Sequence, residues 1–510
     1  MMKKGLAIAF LMVVICACGA MAEKQIIKPV DGIIPDGWYF YGDYLGGVTD
    51  IEIQEGTTEI GRTAFANCRL IESVVVPGSV KKIGWYAFRD CYALKRIELR
   101  EGIEEIGDGA FRGCRELTEI YIPSTVTRIG GGVFFDCDKL QVISISPDNP
   151  VFEMVDGVLY DKVNREMVYY PPTLENSEYT VPDGTRSIGP SGFSLCMNLK
   201  SVFLPDSLEV IGSSAFSSCG RLEQIIIPSN VKEIGADAFS WCSKLKSIII
   251  PEGIERIRRC AFSHCRGLES VVLPSSLVAI EGGAFTNCKK LDEIAFPDGH
   301  SYYEVRGRAL IDRNRKELIS YFDNQIEKRY QIPKEIRFIA DYAFSETLLT
   351  EISIPDGVEK IGMSAFSYCT ELERMSFPDS VVEIGMSALD GCSSLKEVKL
   401  PNKLKIIEFG MFLGCENLEQ LNIPDSVVEI SDYALDGKFK CLVIPESVEV
   451  IGSNILFRYS DIERIEIRGN KIQIADDAFS TGKGVIFAVR KGSDAETYAV
   501  SIGASVEYLD

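Results

Sequence analysis

The chain has 510 residues, 46% of them hydrophobic and 25% charged, a composition that supports a continuous apolar core. Its formal charge is −20, and it falls by two more when Lys3 and Lys4 are set aside. Such an acidic surface repels phosphate backbones and anionic headgroups, which argues against binding to nucleic acid or to a membrane surface.

In chain order, the first segment is a targeting signal. Lys3 and Lys4 open it, Leu6 to Cys18 is almost wholly apolar, and Ala20-Met21-Ala22 places small residues around a cleavage position before Glu23. Residues 1–22 therefore read as a signal peptide, and the mature chain is expected to be secreted or on the cell surface. A second reading takes Cys18 as a lipidated residue after Ile15-Cys16-Ala17, although Cys16 fits such a box poorly. No later run approaches the ~20 apolar residues of a membrane-spanning helix. Trp38, Tyr39, Phe40, Tyr41 and Tyr44 crowd the stretch before the first clear repeat, so 23–50 is predicted to be an N-terminal cap.

From there the chain repeats every 23 residues. Cys68, Cys91, Cys114 and Cys137 keep this step, as do Cys196, Cys219, Cys242, Cys265 and Cys288, and again Cys369, Cys392 and Cys415. The surrounding phrase is IPxxVxxIGxxAFxxCxxLxxIxIP, as at Ile227 to Pro251. Phe344, Leu435 and Phe479 mark turns whose cysteine place holds Thr347, Lys438 and Gly482. A further weak turn runs from Ile451-Gly452 to Ile462, giving about sixteen turns by this count. A unit this short cannot close its own core, so neighbours must stack. LxxIxI puts apolar side chains on one face of a short strand. The glycine of IG suits a corner where a side chain would clash or φ must be positive. AFxxC stacks a small, a large and a small apolar group in every turn.

The phrase resembles the BspA-like class of leucine-rich repeats, known from secreted and surface proteins of bacteria and some parasitic protists. The likeness covers roughly Val48 to Gly482. It implies a leucine-rich-repeat right-handed solenoid, with a parallel β-sheet and short helical or irregular convex segments. It also implies a role as a surface antigen or adhesin for host or neighbouring-cell proteins. The class brings no fixed catalytic residues.

Two gaps divide the ladder. Cys137 to Cys196 and Cys288 to Thr347 each span 59 residues, one repeat plus 36. The inserts, Phe152 to Pro171 and Tyr303 to Phe322, resemble one another, each with apolar alternation on both sides of a polar turn. This is a β-hairpin pattern. The predicted order is repeat block 51–145, hairpin insert 146–181, block 182–296, insert 297–332 and block 333–483, then a C-terminal cap 484–510. The inserts are read as repeat-spacing decoration at one edge, or alternatively as a ligand-contacting flap built on Tyr169, Tyr170, Tyr302 and Tyr303. Ser493 to Glu496 fits a capping box that opens a short helix through Tyr498, Ala499 and Ile502.

Chemistry is hard to find. The two histidines, His264 and His300, fall in different turns, and no HExxH, GxSxG, phosphate loop or paired CxxC occurs. No catalytic, cofactor or metal residues are assigned, and no loop has the spacing of a dedicated calcium site. Cysteine at every AFxxC place reads as a small buried hydrophobe rather than a disulfide framework. Cys260 and Cys441 break the pattern and are the candidates for exposure or reactivity.

One residue per strand should point outward between the two inward residues of IxI. These are Val75, Glu98, Tyr121 and Ser144 in the first block, and Phe203, Ile226, Ile249, Val272 and Ala295 in the second. The last block offers Ser353, Ser376, Lys399, Asn422, Val443 and Glu466. The middle block alone is apolar over five turns, a ribbon roughly 20 Å long at about 4.8 Å per strand. Contiguous apolar strips often mark partner sites; alternatively, β-branched residues simply favour strands, with Phe203 covered by the first insert. The expectation is a non-catalytic, monomeric protein that binds a protein partner at Phe203, Ile226, Ile249, Val272 and Ala295. The alternatives are an envelope-associated scaffold, or an enzyme or inhibitor that uses the hairpins.

Overall fold

The structure, a computed structural model, describes residues 25–37, 48–296, 299–323, 325–456, 462–479 and 484–509. The signal segment 1–22 and the aromatic cluster Trp38 to Tyr44 lie outside them. Two compact units divide the chain, Met1–Met154 and Val155–Asp510.

Each unit is a β-solenoid of in-register parallel strands. In the first, a six-stranded sheet runs from Gln25–Ile27 through Asp50–Ile53, Ser73–Val76, Arg96–Leu99 and Glu119–Ile122 to Val142–Ile145. A five-stranded sheet of two-residue strands, Ile33–Ile34 to Arg128–Ile129, lines a second side. The third side is made of turns. Equivalent phenylalanines stack inside, with Phe65, Phe88, Phe111 and Phe134 at centroid steps of 5.1, 5.7 and 6.0 Å. The second unit repeats the plan, with Phe193, Phe216, Phe239, Phe262 and Phe285 stacked at 5.0 to 5.7 Å. Together the units hold about 20 turns rather than sixteen. The difference lies in turns that keep the strand but lose the cysteine phrase, such as Glu178–Thr180, Arg329–Gln331, Ile486–Val489 and Ser505–Tyr508. Pairing of backbone with backbone needs only strand geometry, not the full motif.

The glycine corner turns on clash, not on φ. A Cβ on Gly84 would lie 2.7 Å from the Arg62 backbone nitrogen, and one on Gly235 would lie 2.4 Å from that of Ser213. Neither residue has positive φ. The second unit breaks both its ladders between the same two repeats. Gln224–Ile225 and Ser247–Ile249 belong to different sheets, as do Glu233–Ile234 and Arg256–Ile257. At the corner of the second of these repeats Arg258 stands where glycine stands before it.

The inserts are antiparallel. Val158–Asp161 pairs with Glu166–Tyr169, and Tyr303–Arg306, Ala309–Asp312 and Glu317–Tyr321 form a meander. Each carries a register shift at the matching place, Leu159/Tyr160 and Leu310/Ile311. The last strand of each then pairs in parallel with the following short strand, Glu166 with Ser187 and Glu317 with Phe338. The hairpins are therefore built into the stack and not appended to an edge. Tyr169, Tyr170 and Tyr303 are buried and only Tyr302 is exposed. These rings are core, which removes the tyrosine flap as a contact surface.

All fourteen cysteines among the described residues are free. In the column each thiol from Cys91 onward donates to a carbonyl of the turn before, as Cys219 to Phe193 at 3.0 Å, Cys242 to Phe216 at 3.1 Å and Cys265 to Phe239 at 3.0 Å. The sulfurs thus aim at oxygens rather than at one another. The single helix among the described residues, Asp494–Ser501, starts at Ser493, whose side chain accepts from the Glu496 backbone. Its Ala495, Tyr498 and Ala499 join the core of the second unit.

Candidate interaction surface

Strand alternation sorts the side chains of the second unit. Val202, Ile225, Ile248 and Val271 point inward and are buried, and the next residue of each strand points out. Phe203 is 52% exposed, Ile226 84% and Ile249 66%. Val272 and Ala295 are half-buried. Phe203 is thus not covered by the first insert.

Register brings these residues into line. Phe203 sits opposite Thr180, Val202 opposite Ile225, Ile249 opposite Val272, and Val272 opposite Ala295. The ribbon has two pieces, because the ladder breaks between Ile226 and Ile249. Across that break one long backbone hydrogen bond remains, from Lys246 N–H to the Glu223 carbonyl at 3.4 Å. Beside the stripe, Gln224 and Ser247 are exposed while Ser201 is buried.

Reading single turns missed a second group. His264 stacks on Trp241 with ring centroids 3.9 Å apart, and its Nε2 lies 2.6 Å from Glu346 Oε1. Asn287 donates to the other oxygen of Glu346. Burial alone would raise the Glu346 carboxyl, yet the hydrogen bond and charge of His264, with Arg266 and Lys289, hold it below its usual range. The signal was in the spacing, since these residues all precede the cysteine place. A step of 59 from Asn287, the length of the insert gap, lands on Glu346. A histidine with a single carboxylate is a structural hydrogen-bonded pair here. Among the described residues no group of three or more His, Cys, Asp or Glu side chains could hold a metal ion. No helix among them is long and apolar enough to cross a membrane.

In-register parallel strands, a phenylalanine stack and a recurrent glycine corner define a leucine-rich-repeat solenoid. The sequence pattern described as "BspA type Leucine rich repeat region", in six copies, matches residues 39–154, 165–292, 320–440 and 395–485. The chain belongs to this family. It is similar to a leucine rich cell surface protein from Faecalibacterium prausnitzii, at 30% identity over 54% of this chain and 83% of that one, with a TM-score of 0.41. A leucine-rich repeat protein from Eubacterium ventriosum is 24% identical over 66% and 87%, with a TM-score of 0.46. One from Bacteroides ovatus is 26% identical over 81% and 89%, with a TM-score of 0.37. No curated protein matches the chain.

Proposed function

We propose that the chain is a non-catalytic secreted or cell-surface protein that holds a protein partner on the strand face of its second unit. Adhesion to host or neighbouring-cell protein is the role in view. The observation that carries this reading is the exposure of Phe203, Ile226 and Ile249 in consecutive turns of one face. Leaving such side chains in water forgoes about 1.5–3 kcal/mol each relative to burial, and contiguous apolar strips of this kind mark interaction sites. Membership of a repeat family supports the reading, because stacked repeats present an extended binding face. Export rests on Lys3, Lys4, the apolar run to Cys18 and Ala20-Met21-Ala22.

The test is capture of partners from host extracellular matrix and culture-mate cells by the wild-type chain and by the Ile226→Asp/Ile249→Asp variant. Loss of capture with a thermal unfolding midpoint within about 2 °C of wild type is expected, because exposed positions contribute little to stability. Equal capture by both chains would sink the reading.

A further inference from the structure

The stripe has a charged border whose order is informative. The residue two places before each inward strand residue of the middle turns is Lys200, Glu223, Lys246 and Glu269 in succession. Backbone hydrogen bonds hold this column in register: Glu223 N–H to the Lys200 carbonyl at 2.9 Å, Lys246 to Glu223 at 3.4 Å, and Glu269 to Lys246 at 2.7 Å. All four side chains are exposed.

Equivalent alternations elsewhere are used within the chain. Lys95 pairs with Glu72 at 2.7 Å and Lys396 with Glu373 at 3.6 Å, while Lys328 of the same column pairs with Glu371 outside it at 2.5 Å. In the middle turns none of the four charges makes an ion pair or a side-chain hydrogen bond among the described residues. Four alternating, unspent charges therefore run beside the exposed Phe203, Ile226 and Ile249.

Read backwards, Lys-Glu-Lys-Glu becomes Glu-Lys-Glu-Lys. A column that reverses its sign pattern on inversion is complementary to itself under a two-fold axis lying in the face and parallel to the strands. That operation inverts the order of turns and keeps each column opposite its own copy, which is the isologous arrangement of a closed dimer. It sets Lys200 against Glu269 of a second copy and Glu223 against Lys246. It also sets Phe203 against Val272 and Ile226 against Ile249, with Gln224 facing Ser247. Every facing pair in the four central turns is either opposite in charge, apolar on apolar, or neutral.

We propose that the occupant of the stripe is a second copy of this chain, laid face to face and antiparallel, with the axis passing between Ile226 and Ile249. This rests on the reading of the stripe as the contact surface, and it replaces the monomer that the sequence suggests. The outer turns limit the contact, since the same axis brings Glu178 against Glu293. A contact of four strands lies at the small end of specific interfaces, so the dimer exchanges with monomer and forms as concentration rises. Its ion pairs sit at an exposed border, so salt weakens it.

The test is sedimentation equilibrium of the full chain over a range of concentrations, at low and high salt. The variants are Ile226→Asp, Lys246→Glu and the swap Glu223→Lys/Lys246→Glu, each checked by thermal unfolding. The proposal expects a mass that climbs toward two chains, with Ile226→Asp remaining monomeric. Lys246→Glu should weaken association by about tenfold or more through repulsion from Glu223 of the second copy, and the swap should restore it. A chain that stays monomeric while Ile226 and Ile249 are still needed to capture a different protein overturns the dimer and leaves the binding surface standing. A dimer indifferent to all three variants, or one that the swap fails to restore, overturns the proposed pairing.

Discussion

At the scale of single residues, the cysteine column shows how one side chain serves two needs. From Cys91 onward each thiol fills a small buried space and donates to a carbonyl of the turn before, which in most turns also accepts from a backbone N–H, as Phe193 does from Cys196 at 3.2 Å. Thr347 stands in the same column, buried, and its hydroxyl lies 3.3 Å from Cys369 Sγ of the following turn. Burial pushes the Cys265 thiol up to about 12 and the Cys260 thiol up to about 11. Cys260 therefore breaks the spacing without gaining reactivity, whereas Cys441 is exposed. With a thiol reagent at pH 8, the native described region should label at Cys441 within minutes, and the twelve column thiols only on unfolding. Mapping the labelled peptides checks this, and rapid labelling at Cys242 in the native chain would contradict it.

At the scale of the element, the succession of corner residues bears on where neighbouring turns close. In the first unit glycine holds the corner at Gly61, Gly84, Gly107 and Gly130, and both sheets run unbroken. In the second unit the short-strand ladder ends at Ala279–Ile280 ahead of the second insert, and it also breaks between plain repeats before Arg256–Ile257 and before Ile406–Ile407. The latter two are the places where Arg258 and Glu408 follow Gly235 and Gly385. A Cβ placed at Gly235 or Gly385 would meet the backbone of the turn before. The ladder opens where Arg258 or Glu408 follows such a glycine, whereas Glu281 after Arg258 and Ser431 after Glu408 stay paired. Ala475 after Gly452 keeps its ladder, with Ile474 opposite Ile451, so a methyl group can be absorbed where the neighbouring turns give way. Gly84→Ala, inside an unbroken run with a 2.7 Å approach to Arg62 nitrogen, should cost about 1–3 kcal/mol. It should also speed hydrogen exchange of the residue 84 amide, which now donates to the Ile60 carbonyl at 2.8 Å. Unchanged exchange there would show that the corner tolerates a side chain.

At the scale of the whole molecule, repetition made the fold legible. The 23-residue step, the IxI alternation and the AFxxC phrase name the strands, the core columns and the outward stripe, because each is a local property repeated many times. Three things were not legible for a common reason. The extra turns lack the phrase, the His264 to Glu346 pair spans an insert, and the ladder breaks depend on contact between one turn and the next. Lys200, Glu223, Lys246 and Glu269 were in plain view in the sequence. Their freedom from internal partners could be seen only once the ion pairs of the other turns were placed.

The double break between the repeats of Ile226 and Ile249 has a mechanical consequence. On two sides the turns are scarcely joined, but on the turn side three backbone hydrogen bonds of 2.8–3.0 Å cross the same boundary, from Asp237 to Arg259, Phe239 to Ala261 and Trp241 to Ser263. A bond line intact along one side and open along the others is a hinge with its spine at the turns. Thermal bending should therefore concentrate here, fanning the strand face open and shut about the centre of the stripe. Spin labels at Asp206 and Glu252, which straddle the boundary, should give a broader distance distribution than labels at Glu55 and Glu101, two turns apart in the unbroken first unit. Equal widths would mean that the phenylalanine stack alone stiffens the joint. A stripe divided by such a joint is a compliant surface, able to adjust its curvature to whatever is pressed against it.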